Sequence, residues 1–327
     1  MKICLLDQTS FVYSYEDKYS INLRGAETIL INLYQELTSL GHDVFVFNNC
    51  SEKISTNSSK WYNLNKINTV KNFYFDICIA NADINLFDNL NSNRKYVISY
   101  SVQSFEKFIR KKQFFSFLKH RPKVLVLGNY HKKIRSWLTS IFGMDIINLC
   151  VDDIFIKTKL TNNIDNNLAI FTSRSDRNSE LLINIWNNHI QKHDKKLKLL
   201  ITPKINNNFN SNIIERNLGS QQALIKDLLR SRISLIPGHK AELFCLAAEE
   251  ARELCIPIVT LGIGSLSERV NHEKTGFVAK NQKEFGAYAL ELFKNDQLWN
   301  SIRNNLLELR GSKVWSKSVK ELIKKIK

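Results

Sequence analysis

Two glutamates and two arginines are the residues of this sequence whose types and spacing could do chemistry. Glu242 and Glu250 have seven residues between them, so on a helix they would lie about two turns apart on one face. Arg174 and Arg177 follow the apolar run at 168–173, and a guanidinium group binds phosphate bidentately. Taken alone, the pattern also fits two solvated glutamates on a helix and two solvated arginines in a loop.

The helix that we predict over 242–254 adds a site for an anion. The first backbone N–H groups of a helix have no partner within the helix, and with the helix dipole they favour a bound diphosphate.

Short apolar runs alternate with helical patterns along the chain. Runs that are apolar on both faces indicate buried parallel strands, and their alternation with helices predicts parallel α/β sheets. The predicted strands are 2–7, 43–48, 75–81, 96–101, 123–129, 168–173, 197–202, 233–238 and 257–262. The predicted helices are 26–40, 130–142, 178–192, 220–230, 242–254 and 283–294. Such sheets bind ligands at the carboxyl ends of their strands.

The alternation restarts after about residue 155, which predicts two doubly wound domains. The segment 157–167 is polar without an apolar period, so we interpret it as a linker. The first domain is then 1–156 and the second 157–312, and the remaining residues 313–327 have the pattern of an amphipathic helix. We expect the ligand in a cleft between two facing domains.

The formal net charge of +16 favours anionic partners, which include nucleic acid, acidic lipid headgroups and phosphorylated substrates. A solvated lysine-rich surface is the alternative.

The six cysteines have no C-x-x-C spacing, so we expect neither a disulfide framework nor a zinc site, and hence a reducing compartment. No carboxylate cluster suits Mg²⁺. The sequence turns polar by Asp7, and no apolar run has the length of a membrane span, so membrane contact would be peripheral.

The stretch from Glu242 to Val259 resembles the E-x7-E region of the family 4 glycosyltransferases, also called glycosyl transferases group 1. The family form is E-G-F-G-L-x-x-x-E-A followed by a G-x-P-V-V strand, and this chain has E-L-F-C-L-A-A-E-E-A followed by C-I-P-I-V. Leu243, Cys245 and Cys255 therefore stand where the family has glycine.

Further matches occur in family order over nearly the whole chain. The loop Ser173–Asn178 resembles G-R-x-x-x-x-K-G in a shorter form, with Arg177 as the second cation and Asn178 in place of the glycine. The other matches are Arg24-Gly25-Ala26-Glu27, Cys150–Phe155, Ile263–Val270, Thr275–Val278 and Trp315.

The resemblance implies an α/β protein of the GT-B fold, with two doubly wound Rossmann-like domains that face each other across a cleft. It implies a retaining hexosyltransferase that uses a UDP-, GDP- or ADP-sugar as donor, without a prosthetic group and without a metal. Glu242 is then the catalytic residue at the donor sugar, and Glu250 binds the nucleotide ribose. Arg174 and Arg177 neutralise the pyrophosphate. The remaining donor-binding residues are Gly25, Phe244, Cys245 and Leu246, and the helix at 313–327 packs back on the first domain.

The expected function is sugar transfer to a glycan or lipid-linked acceptor in cell-surface polysaccharide or lipopolysaccharide synthesis, in the cytoplasm or on the inner face of the membrane. An inactive GT-B scaffold in a polysaccharide assembly complex is one alternative, because three family glycines are missing. A basic nucleic-acid-binding protein is the other, although no nucleic-acid-binding signature supports it. Where relatives often have an acceptor-side histidine, this chain reads Ser99–Gln103, which leaves the acceptor-side residues open.

Residues 105–121 interleave phenylalanines with basic side chains. Phe105 and Phe114 are half a turn out of phase at 100° per residue, so one helix face cannot bury both. Two interpretations stay open: a helix that meets an anionic membrane surface, or a helix packed on the sheet whose second aromatic side is covered by other residues.

Overall fold

The computed structural model describes residues 1–20, 23, 25–51, 60–102, 104–205 and 212–326. The chain forms two compact units, one of Met1–Leu149 with Trp315–Lys327 and one of Cys150–Val314. The domain boundaries at 156 and 312 stay predictions. Arg24 and Gln103, which belong to stretches singled out in the sequence, lie outside the described residues.

A seven-stranded parallel sheet forms the centre of the first unit. Its strands are β1 (Lys2–Leu6), β2 (Asp43–Asn48), β3 (Trp61–Asn63), β4 (Tyr74–Asn81), β5 (Asn91–Ile98), β6 (Lys123–Val126) and β7 (Met144–Ile146). They lie in the order β3-β2-β1-β4-β5-β6-β7, so the winding direction reverses between β1 and β4. The helices before the second unit are α1 (Gly25–Ser39), α2 (Phe105–Arg110), α3 (Phe114–His120) and α4 (Asn129–Ile134).

A six-stranded parallel sheet forms the centre of the second unit. Its strands are β8 (Asp165–Phe171), β9 (Lys198–Ile201), β10 (Ile213–Glu215), β11 (Ser231–Leu235), β12 (Ile258–Thr260) and β13 (Gly276–Val278). The order is β10-β9-β8-β11-β12-β13, with the reversal between β8 and β11. The helices of this unit are α5 (Asp153–Lys157), α6 (Ser179–Ile185), α7 (Gln221–Arg230), α8 (Leu246–Glu253), α9 (Gln282–Lys294) and α10 (Asp296–Leu309).

Polar side chains fix where three of these helices begin. Ser220 accepts a hydrogen bond from the backbone N–H of Ala223 before α7, and Asn281 and Asn295 cap α9 and α10 in the same way. Each cap satisfies a donor that the first helical turn leaves free, which is worth about 1 kcal/mol.

The last helix, α11 (Trp315–Ile326), belongs to the first unit, where it contacts α1. Its buried stripe includes Trp315, Val319 and Leu322. The side chain of Asn148 donates a 3.1 Å hydrogen bond to Glu321, and Arg94 donates one of 3.0 Å to the carbonyl of Ile326. The helix is thus held by apolar packing and by hydrogen bonds at its middle and at its last residue.

The predicted pair of doubly wound parallel α/β sheets is confirmed. The sequence analysis did not predict the short strands β3, β7, β10 and β13, because three residues at a sheet edge carry little apolar pattern. It also missed α10, although Trp299, Ile302 and Leu306 lie buried at helical spacing.

The prediction of a single helix over 105–121 is wrong. Lys111–Gln113 separate α2 from α3, and Lys112 has a left-handed backbone with φ 55°. The break brings Phe105 to Phe114 and Phe108 to Phe117 in edge-to-face pairs with centroid distances of 5.8 and 5.1 Å. The chain therefore resolves the phase conflict by turning, and Phe108 and Phe117 are both buried.

Candidate functional site

The loops that follow β8 and β11 lie side by side, because these strands are neighbours where the winding of the second sheet reverses. Such a switch point is where doubly wound sheets bind their ligands. The first loop carries Arg174 and Arg177, and the second carries Glu242. The side-chain amide of Asn178 donates a 2.5 Å hydrogen bond to the carbonyl of Gly238 and joins the two loops.

Arg177 and Glu242 form an ion pair at this junction. The distance from Arg177 Nε to Glu242 Oε2 is 3.2 Å, and the side chains are 19% and 18% exposed. Arg177 also donates to Asp176 Oδ2 at 2.7 Å, and Arg174 donates to the same oxygen at 2.8 Å. Because the Arg174 side chain is 73% exposed, Arg177 is the cation held in the site, and Arg174 lies at its rim.

Burial controls the charge state of both predicted glutamates. Burial raises the pKa of Glu242, and the positive charges of Arg177, His239 and Arg174 oppose that rise. Burial raises the pKa of Glu250 to about 7. In the free protein, burial disfavours the ionised form of both carboxyl groups. Hydrogen-bond donors such as the hydroxyls of a sugar or ribose would therefore stabilise that ionised form.

The two glutamates do not share a helix, contrary to the prediction over 242–254. The helix α8 begins at Leu246, and Glu242 lies in the turn that precedes it. Cys245, the N-cap residue, has φ 63° and ψ 78°, so the chain enters α8 through a left-handed residue. Glu250 lies within α8.

Three residues that stand in place of family glycines keep a left-handed backbone. The φ angles are 63° for Asn178, 63° for Cys245 and 57° for Cys255. This conformation costs a residue with a Cβ roughly 1–2 kcal/mol, and less for asparagine. The surrounding contacts therefore impose the loop shape even where glycine is absent.

A buried carboxylate anchors the start of α8. Glu249 is 2% exposed and pairs with Lys313 at 2.8 Å, Arg252 at 3.0 Å and Arg269 at 3.1 Å. Burial alone would raise the pKa of Glu249, but the three cations hold it below its usual value. Arg269 also donates to the carbonyl of Phe244 at 2.9 Å and lies over its ring at 4.1 Å. The cluster thus fixes the turn that carries the predicted binding residues.

Two glycines let a second loop approach that turn. A Cβ on Gly264 would lie 2.3 Å from the carbonyl oxygen of His239 and 2.9 Å from that of Glu242. A Cβ on Gly238 would lie 2.5 Å from the carbonyl oxygen of Ile263. The backbone N–H of Ser265 then donates to the Glu242 carbonyl at 2.9 Å. Both glycines are close-contact positions as well as turn residues.

The remaining predicted residues lie at element starts. Phe244 and Cys245 are buried immediately before α8, and Leu246 is its first residue. Gly25 is the first residue of α1. It belongs to the first unit, whereas the other predicted binding residues belong to the second unit.

Sequence reasoning missed Asp176, His239 and Arg269. Asp176 lies between the two arginines in the sequence, and an acid there was a signal that the cations are paired without a ligand. His239 Nδ1 accepts a 3.1 Å hydrogen bond from the backbone N–H of Ala241, and His239 interacts electrostatically with Glu242. Arg269 was visible inside the matched stretch Ile263–Val270, but only the fold reveals its contact with Glu249.

In the described part of the chain, no three histidine, cysteine, aspartate or glutamate side chains group as metal ligands. None of the helices described has the length and apolar character needed to cross a membrane.

The sequence model of the family described as glycosyl transferases group 1 matches residues 163–308, which are nearly all of the second unit. No curated protein matches the chain by sequence.

Solved structures with the GT-B fold resemble the whole chain. The sucrose-phosphate synthase of Thermosynechococcus elongatus has a TM-score of 0.70 at 11% identity, with 99% of each chain covered. Anabaena HepE in complex with UDP-glucose has a TM-score of 0.69 at 13% identity, with 99% of this chain and 100% of HepE covered. A TarM mutant of S. aureus, solved with fondaparinux, alpha-GlcNAc-glycerol and UDP, has a TM-score of 0.60 at 17% identity. That match covers 80% of this chain and 57% of TarM.

We predict that Gly264→Ala destabilises the protein more than Gly41→Ala and lowers nucleotide binding. Both glycines are left-handed, with φ 76° and 77°, but a Cβ on Gly41 would meet nothing within 4 Å. The control should therefore cost only the backbone strain of about 1 kcal/mol, whereas Gly264→Ala must also displace the turn of Glu242. Denaturant unfolding and calorimetry with UDP check this, and equal costs with unchanged UDP affinity would contradict it.

Proposed function

We propose that this chain is a glycosyl transferase of group 1, because the model of that family matches residues 163–308 and the chain has the GT-B fold, and that it transfers a hexosyl group with retention from a nucleotide sugar to a glycan or lipid-linked acceptor. The pathway that we propose is cell-surface polysaccharide or lipopolysaccharide synthesis. The observation that carries the proposal is the Arg177–Glu242 pair at the switch point of the second sheet.

The donor diphosphate binds between the loop after β8 and the start of α8. Arg177 supplies a mostly buried guanidinium group there, and Arg174 adds a second cation at the rim. The backbone N–H groups of Cys245 and Leu246 complete the site, since the first amides of a helix have no partner within the helix. In the free protein the guanidinium of Arg177 pairs with the carboxylates of Asp176 and Glu242, so the diphosphate must replace these contacts.

Glu242 contacts hydroxyls of the donor sugar, and Glu250 contacts the ribose diol. Their half-buried positions before and within α8 support this division. Gly25 stays a predicted donor-binding residue, because glycine at a helix start lets a ligand come close to the backbone. Phe244 keeps the turn in place through Arg269.

The transfer proceeds on one face of the sugar. The acceptor hydroxyl oxygen forms a bond to the anomeric carbon while the bond from that carbon to the phosphate oxygen breaks. The acceptor proton passes to the departing diphosphate, so the step needs no protein nucleophile. Glu242 and Arg177 then act by positioning the sugar and stabilising the charges that develop on sugar and phosphate.

UDP-glucose is the first donor to test, because HepE was solved with it and TarM with UDP. GDP- and ADP-sugars are the other donors that we consider. We propose that the reaction requires no metal, since cations and helix amides neutralise the diphosphate.

The acceptor lies at an anionic membrane surface, which the protein meets through α2 and α3. Phe115 is 81% exposed and Ile109 52% exposed, and the basic side chains of residues 105–121 surround them. Amphipathic surfaces of this kind bind the interface of membranes rich in anionic lipids. The protein then acts as a peripheral membrane enzyme on the cytoplasmic side.

An inactive scaffold is the weaker candidate. Its motivation was the absence of the family glycines at 243, 245 and 255, but Cys245 and Cys255 keep the left-handed backbone that glycine would supply. The loop geometry therefore survives at these two of the three positions. Hydrolysis of a nucleotide sugar by the purified protein would exclude the scaffold role.

We expect Arg177→Ala to weaken UDP binding by about 10- to 100-fold, because a charge-assisted contact is worth about 1.5–3 kcal/mol. Arg174→Ala should have a smaller effect in the same direction, since its side chain is mostly exposed. Arg230→Ala is the matched control, because Arg230 is exposed at the opposite, amino end of β11. Calorimetry with UDP, GDP and ADP measures all three. Unchanged affinities in both site variants would refute the assignment of the diphosphate.

The two glutamates should differ in steady-state kinetics. Glu242→Gln keeps the shape of the side chain and should lower kcat far more than it raises KM, because its contact matters most as charge develops on the sugar. Glu250→Ala should raise KM with kcat nearly unchanged, since the ribose is bound equally in ground and transition states. The reverse pattern would overturn the two roles.

Glu250 should also make nucleotide affinity depend on pH. Its pKa of about 7 means that the free protein must release a proton when the ionised carboxylate accepts the ribose hydroxyls. UDP affinity should therefore rise about tenfold from pH 6 to pH 8. The titration of the nucleotide itself affects wild type and Glu250→Gln alike. The difference between the pH profiles of their UDP affinities therefore isolates this carboxyl group. Identical pH profiles would contradict the ribose contact.

Replacing Lys107, Arg110, Lys111 and Lys112 with serine should release the protein from anionic liposomes, since each basic residue at such a surface contributes about 1 kcal/mol. The control removes the same charge from α11 by replacing Lys317, Lys320, Lys324 and Lys325. Sedimentation at low salt measures binding. Equal release by both variants, or no binding by the wild type, would contradict a membrane role for α2 and α3.

A further inference from the structure

Arg135 is a buried cation without a carboxylate partner among the described residues. It is 8% exposed, and its hydrogen bonds go from Nη1 to the hydroxyl of Ser99 at 2.5 Å and from Nη2 to the carbonyl of Thr139 at 3.4 Å. Its Nε is buried and has no hydrogen-bond partner. A guanidinium group withdrawn from water without an opposite charge is destabilising unless an anion reaches it.

The groups beside Arg135 do not supply that anion. His131 is fully buried, accepts from the backbone N–H of Leu127 and contacts the carbonyl of Ser101 at 3.3 Å. Burial, with the charge of Arg135, lowers the pKa of His131 to about 4, so this ring is neutral at pH 7. Burial lowers the pKa of Arg135 to about 10, which leaves it charged.

Arg135 lines a pocket at the carboxyl ends of β4 and β5. Ser99, Tyr100 and Gln113 line it with Arg135, and Lys111 adds a second, exposed cation at its rim. The hydroxyls of Ser99 and Tyr100 and the amide of Gln113 already donate hydrogen bonds within the protein. The donors left for a ligand are therefore the two cations, and guanidinium and ammonium groups bind phosphate.

An exposed apolar surface adjoins this pocket. Phe108 lines the pocket, and its neighbour Ile109 is 52% exposed. The helix α2 contacts the 3₁₀ helix Trp137–Ser140, where Trp137 is 73% exposed. The arrangement places apolar side chains directly beside the cationic pocket, as an amphiphile with a charged head would require.

We propose that the pocket of Arg135 and Lys111 binds the phosphate group of an amphiphilic acceptor, with its apolar chain on Ile109 and Trp137. This inference rests on the proposed function, because it assigns the head group of the lipid-linked acceptor. It also supplies the acceptor-side contact for which the sequence offers no histidine at Ser99–Gln103.

The test is calorimetric titration with n-octyl phosphate, n-octanol and inorganic phosphate, with and without UDP. The proteins are wild type, Lys111→Gln, Arg135→Gln, Arg135→Lys and the control Lys133→Gln, whose exposed lysine is near Arg135 in sequence but does not line the pocket. We expect n-octyl phosphate to bind and n-octanol not to bind. Lys111→Gln and Arg135→Gln should each weaken binding of the phosphate ester about tenfold, and Lys133→Gln should not.

Each outcome decides one point. Tighter binding of the phosphate ester than of inorganic phosphate supports a lipid source, whereas equal binding that keeps its sensitivity to both cations supports a soluble phosphate and overturns the lipid assignment. If n-octyl phosphate affinity is the same in Lys111→Gln and Lys133→Gln, the pocket assignment is wrong, even if Arg135→Gln fails to fold. Retained UDP affinity in the pocket variants separates this result from a failure of the donor site.

Discussion

Glu249 is a carboxylate removed from water, and three separate segments bring cations to it. Lys313 comes from the chain that leads into α11, Arg269 from the loop after β12, and Arg252 from the next turn of α8. A buried charge is destabilising unless it is paired and hydrogen-bonded, so removal of one partner leaves the others uncompensated. The interaction therefore constrains where α8 begins and how the turn before it lies. Arg269 transmits that constraint directly, since it also holds the carbonyl and ring of Phe244.

The strained residues of the donor loop depend on this anchoring. Cys245 and Cys255 keep left-handed backbones that their Cβ atoms disfavour, and nothing local to a cysteine stabilises such a conformation. The contacts of Gly264 with the turn of Glu242, and the bond from Asn178 to Gly238, close the loop from its other sides. Arg177 and Glu242 can then remain partly exposed and exchange their mutual contact for a ligand. Glu249 and its three cations thus hold the turn before α8, and Glu242, which is proposed for chemistry, lies in that turn.

The sequence predicted the fold class because buried parallel strands are apolar on both faces, and this signal is local. It placed the two arginines and Glu242 at strand ends, and parallel strand ends meet at one sheet edge. It could not place Glu242 outside the helix, since the left-handed turn at Cys245 depends on contacts with Phe244 and Arg269. The spacing of the phenylalanines along one helix also could not predict the break between α2 and α3, because Phe108 and Phe117 come into contact only through the turn that separates the two helices. Arg135 carried no signal at all, since a missing carboxylate partner is a property of the folded surroundings.

A crystal structure of the protein with UDP bound tests the account most directly. The diphosphate should lie against Arg177 and the backbone N–H groups of Cys245 and Leu246, with the ribose diol at hydrogen-bond distance from Glu250. The distance between Arg177 Nε and Glu242 Oε2, now 3.2 Å, should lengthen as the guanidinium turns to the phosphate. A diphosphate bound away from this loop, with the Arg177–Glu242 pair intact, would contradict the proposed donor site.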